Sequence, residues 1–76
     1  MCRCEVMRML AKINQTTIWL EKLEGETRRR VEQELDRQKR ALEKYLNGKM
    51  PKRTAKRIIW RSSQRVAWIV AGGDAK

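Results

Sequence analysis

Between Cys4 and Ala71 the apolar residues recur at steps of three and four, and the recurrence breaks at only two places, Gly25 and Asn47-Gly48. Steps of three and four keep side chains on one side of an α-helix, whereas a half-buried strand would alternate by twos. Glycine at each break supplies the left-handed backbone that ends a helix without steric strain. The pattern predicts an all-α chain in a three-helix arrangement: an antiparallel helical hairpin over about 4–24 and 27–46, then a basic C-terminal helix over about 51–71. Residues 1–3 and 72–76 read as frayed termini of a single small domain.

In the first segment Val6, Met9, Leu10, Ile13, Thr17, Leu20 and Leu23 form one stripe, and Met7, Ala11 and Ile18 form a thinner strip on the opposite flank. Two strips on one helix call for partners on two sides. The second segment, with Thr27 as its expected N-cap, carries Val31, Leu35, Gln38, Leu42 and Tyr45, a heptad-like seam with a polar residue inside it and Leu46 alongside. Its outer faces offer Arg28/Glu32, Arg30/Glu34 and Asp36/Arg40 as i,i+4 pairs. The short link at Gly25 makes these two helices antiparallel neighbours. Pro51 suits the first turn of the third helix. There Ala55, Ile58, Ile59, Ser62, Val66, Ile69 and Val70 collect within about a third of the circumference. A hairpin turning at Ser62-Ser63 is the competing reading of 58–70, because Ile, Val and Trp favour strands. It sorts the apolar residues less cleanly.

Charge then divides the chain. Residues 1–24 are net +1, residues 25–48 net +2, and residues 49–76 net +7 out of a total of +10. Such an asymmetry is an argument about partners, since the last third must meet phosphate, an acidic protein or an anionic lipid surface. From Lys52 to Trp68 there is no acid, and two tryptophans sit among the cations. On the helical wheel neither indole falls on the apolar stripe. Trp68 lies with Arg57, Arg61 and Gln64, and Trp60 lies beside Arg53, Lys56 and Ala67. Arginine and lysine neutralise phosphates with counterion release, and an indole offers a stacking or cation–π face.

The candidate partner-binding residues are therefore Lys49, Lys52, Arg53, Lys56, Arg57, Trp60, Arg61, Gln64, Arg65 and Trp68. Arg28 and Arg29 join them from the start of the second helix, where cations oppose the helix dipole. Against this stands a plainer account: Trp60 and Trp68 cover the edge of the core under Arg stems, and Arg28 to Arg30 form a salt-bridged, solvated face. Trp19 is expected to pack at an edge.

Catalysis has no support in the residue types. Histidine is absent, the acids are mostly paired with bases, and no phosphate-binding glycine loop occurs. The chain reads as a non-enzyme without metal or other cofactor. Cys2 and Cys4 are too close to bridge without strain, and a Cys-x-Cys metal pair would need ligands from a second chain. Reduced thiols, and no apolar run of signal-peptide or membrane-spanning length, suggest a cytoplasmic protein.

The first functional expectation is a small basic nucleic-acid-binding protein using the third helix against DNA or RNA. The second, of a different class, is a protein-interaction module, regulator or inhibitor that docks the same Trp/Arg face on an acidic surface of a larger machine. A membrane-surface helix over Lys52–Val70 is a third and weaker reading, because helices one and two need that apolar face. The double strip on helix one adds an expected homodimer.

Overall fold

The computed structural model describes residues 3–72, and places them in three helices: α1 (Arg3–Glu21), α2 (Gly25–Leu46) and α3 (Lys52–Val70). The hairpin reading of 58–70 is excluded, since α3 runs unbroken through Ser62-Ser63. Residues brought together across the bundle fix its direction. Leu10 and Asn14 lie with Leu46 and Asn47, so α1 and α2 are antiparallel. Glu34 meets Ser62 and Arg65, while Ala41 and Lys44 lie near Ile58, so α2 and α3 are antiparallel too. Glu5 pairs with Lys56 and Lys12 lies over Trp60, so α1 and α3 run parallel. The result is an up-down-up bundle 41 Å long and about as thick in its other two directions, 17 and 15 Å.

One aliphatic core runs down its axis, built from Met9, Ile13 and Leu20 of α1, Val31, Leu35 and Leu42 of α2, and Ile59, Val66 and Ile69 of α3. Ala41 and Ala55 are also buried, and their small side chains let α2 and α3 pack closely. Because α3 spends its apolar stripe inside the bundle, a membrane-lying helix over Lys52–Val70 would have to give up this core. Among the described residues no helix is long and apolar enough to cross a membrane.

Several local expectations are corrected. Thr27 is not the N-cap of α2. The helix starts at Gly25 (φ 66°), with an extended Glu24 before it whose side chain makes no capping bond. Gly25 thus has the anticipated left-handed backbone but opens α2, and α1 stops earlier, its last carbonyls taking the amides of Lys22 and Leu23 in tight i,i+3 bonds of 3.0 and 3.1 Å. At the other corner Gly48 (φ 73°) and Lys49 donate to the carbonyls of Tyr45 and Lys44, the paired bonds of a Schellman motif. Pro51 stands one residue outside α3 as its N-cap. On α1 it is Thr16, not Thr17, that is buried, and its hydroxyl donates to the Lys12 carbonyl at 3.0 Å, which satisfies it within its own helix. Leu10 and Leu46, assigned to the stripes, are exposed.

The polar position in the seam is explained by α3. Gln38 is fully buried, and its Nε2 donates to Ser62 Oγ at 3.0 Å. The Ser62 hydroxyl in turn faces Glu34, 2.9 Å from Oε1 and 3.1 Å from the backbone oxygen. Glu34 also takes Arg65 at 3.3 Å, so the expected Arg30–Glu34 pair does not form and Arg30 reaches back to Glu26 instead. The other two i,i+4 pairs are present, Arg28–Glu32 at 3.9 Å and Asp36–Arg40 at 3.0 Å.

Candidate nucleic-acid interface

Because Ala55, Ile59, Ser62, Val66 and Ile69 turn inward, helical geometry forces Arg53, Arg57, Arg61, Gln64 and Trp68 outward together. All five are exposed, and Trp68 retains 55% of its accessible surface. The helix contains no acid, and Lys52, Arg53, Arg57 and Arg61 make no ion pair among the described residues. An array of unquenched guanidinium groups around a solvent-facing indole is a surface that can neutralise phosphates and stack a ring at once.

The remaining expected residues are sorted by what they touch. Lys49 is exposed in the link before α3. Arg65 leans away from the strip to compensate the buried Glu34 carboxylate. Lys56 turns toward α1, with its ammonium 3.3 Å from Glu5 Oε1. Arg28 is not on the surface strip at all: its guanidinium donates to the Leu20 and Leu23 carbonyls at 3.4 and 3.5 Å, filling the C-terminal end of α1, which has no basic residue of its own in its last turn. Arg29 is exposed on the outer side of α2, away from α3.

Trp60 differs from Trp68. It is half-buried and packs against the core, so the edge-covering account describes its inner side. The ammonium groups of Lys12 and Lys56 lie 5.4 and 5.8 Å from its ring centroid, within cation–π range. Trp19 packs against the core as well, as its place off the stripe suggested.

Two groups of residues escape a reading of the sequence. Arg37, Arg40 and Lys44 line a groove of about 280 Å³ between α2 and α3, beside Met50 and Ile58. Their spacing on the α3-facing flank of α2 is visible in the sequence, but the acid–base pairs of that helix mask it. Arg40 is held by Asp36, whereas Arg37 and Lys44 have no ion pair among the described residues. Arg37 and Lys44 thus add exposed cations on the flank of α2 that faces α3, in a groove that also holds Asp36. Lys12, Gln15 and Trp19 lie near Trp60 only because α1 and α3 are adjacent and parallel, which no local pattern encodes.

For metal chemistry, no group of three or more potential ligands occurs among the described residues; Cys4 is exposed and Cys2 lies outside them. Comparison of the chain with protein-family models, with curated proteins and with solved structures gives no match in any of the three.

Proposed function

We propose that this chain is a small nucleic-acid-binding protein, a binder and not an enzyme, whose α3 face contacts the phosphate backbone and stacks bases. The observation that carries the reading is Trp68, 55% exposed on an acid-free helix beside Arg57, Arg61 and Gln64. The aliphatic core is packed without this indole, and cations that repel one another around it are stabilised when an anionic partner covers them. A polyanion with flat bases supplies both missing partners. Exposed thiol chemistry at Cys4 suits a reducing, cytoplasmic setting for such a protein.

Fluorescence anisotropy with labelled DNA and RNA at two salt concentrations tests the proposal. Binding that weakens steeply as salt rises supports it, because each neutralised phosphate releases counterions. Absence of salt-sensitive binding to every nucleic acid removes it.

A second reading is favoured by the same indole. Tryptophan and arginine are the residues that anchor protein interfaces, so the face also suits an acidic protein surface, as a regulator or inhibitor would use. Capture of a defined acidic partner that survives nuclease treatment, without nucleic-acid binding by the purified chain, selects this alternative.

Self-association is a separate proposal. Met7 and Ile18 are 66% and 48% exposed on the outer side of α1, and the strip they form with Leu10, Ala11 and Asn14 bears no charge. A second copy meeting that strip would cover it while leaving both α3 faces outside.

A further inference from the structure

Trp60 is the wall between two depressions of different chemistry. On one side Lys52, Arg53, Lys56 and Arg57 line a hollow of about 400 Å³. On the other, Lys12, Gln15, Trp19, Ser63 and Gln64 line a groove of about 440 Å³ between α1 and α3. Neither is lined by a carboxylate. A phosphate requires cations without competing acids, which Lys52, Arg53 and Arg57 supply in the first, while Lys56 is shared with Glu5. A nucleobase requires a ring to lie against and donors and acceptors along its edge. The groove offers two indoles, the amides of Gln15 and Gln64 and the hydroxyl of Ser63, and its size falls in the range of small-molecule pockets.

The two compartments share a wall, and the ammonium groups of Lys12 and Lys56 hover near that wall at 5.4 and 5.8 Å from the ring centroid. We infer that the α1–α3 groove receives an unpaired base of a single-stranded nucleic acid, while that nucleotide's phosphate rests on the Lys52–Arg57 hollow. In a duplex each base is stacked on both faces and its edge is turned to its complement, so only a base outside a double helix can enter. Trp68, about 12 Å further along α3, provides a second stacking point for the same strand. The inference rests on the proposed nucleic-acid function and narrows it to unpaired DNA or RNA.

The test compares short oligothymidine and oligouridine strands with a duplex of equal length, by anisotropy, at low and moderate salt. Ala67 is exposed on the rim of the groove, so Ala67→Leu narrows the entrance without disturbing the core. Trp60→Phe keeps a packing ring and shrinks the stacking surface. The single strand is expected to bind more tightly than the duplex, and Ala67→Leu to weaken the single strand about 5- to 150-fold. Duplex affinity should stay within about twofold in Ala67→Leu. Trp60→Phe should weaken the single strand in the same direction, with circular dichroism showing that both variants remain folded. DNA and RNA strands run in parallel reveal whether a 2′-hydroxyl contributes. If duplex and single strand bind alike and Ala67→Leu changes neither, the base groove is refuted while the cationic face keeps its function. If no nucleic acid binds, both fall together.

Discussion

Gln38 and Ser62 hold α2 and α3 in register through a single hydrogen bond of 3.0 Å between two side chains sealed from solvent. The Ser62 hydroxyl accepts from the amide and faces the Glu34 carboxylate, so one oxygen joins three side chains, and Arg65 closes the chain at the surface. The register matters to the proposed site. It decides which residues of α3 turn outward, and hence that Arg57, Arg61 and Trp68 share one face.

Ser62→Ala should destabilise the fold by about 2 kcal/mol, because it strands the Gln38 amide and removes a donor from the buried Glu34 carboxylate. A drop in melting temperature of roughly 8–16 °C would accompany it in a domain of this size. Gln38→Leu should stay within about 1 kcal/mol of the parent, since it also removes the buried Oε1 that has no hydrogen-bond partner. Urea titrations of both variants check the contrast; equal losses would show that the amide and hydroxyl do not act as described.

Arg28→Ala separates capping from ligand binding. The guanidinium sits on the last carbonyls of α1, so its removal should lower stability by up to about 1 kcal/mol and leave nucleic-acid affinity and its salt dependence nearly unchanged. A variant as stable as the parent but with weaker binding would return Arg28 to the interface.

Arg57→Ala and Arg61→Ala should do the reverse. Both side chains are exposed and make no ion pair among the described residues, so stability should move by less than about 0.5 kcal/mol. Each should weaken binding to all sequences alike and flatten the plot of log affinity against log salt by about one unit for every phosphate left without its cation.

Ile18→Glu tests association through α1. Sedimentation equilibrium should give a dimer for the parent chain and a monomer for the variant, with helicity retained, because Ile18 is half-exposed and contributes nothing to the buried core. A monomeric parent at micromolar concentration would end the proposal.

The helices and their breaks were legible because they depend on local chemistry. The αL backbone at Gly48 and the inward turn of Ile59, Val66 and Ile69 follow from neighbours in sequence. Gln38 was visible as an interruption of the seam, but its partner 24 residues away was not. Trp60 and Trp68 looked alike on a helical wheel, since both fall off the stripe. They differ because α1 lies along one flank of α3, covering Trp60 and leaving Trp68 in solvent. The surroundings of Arg28 depend on tertiary structure in the same way. Three consecutive arginines at a helix start look like an anion cradle until the preceding helix is folded back, when its bare carbonyl end claims one of them.

The up-down-up course gives the molecule a head and a tail. The parallel helices α1 and α3 bring two amide-rich starts to the same end, and the carbonyl end of the antiparallel α2 offsets one of them, leaving about half a positive elementary charge there. At that end α3 opens with Lys52 and Arg53 and no acid in its first turn. An approaching polyanion would therefore feel a torque as well as a pull, and the long axis would swing into line before any side chain touched it. The bundle's topology, as much as its tally of lysines and arginines, would then set the polarity with which a strand is laid along it.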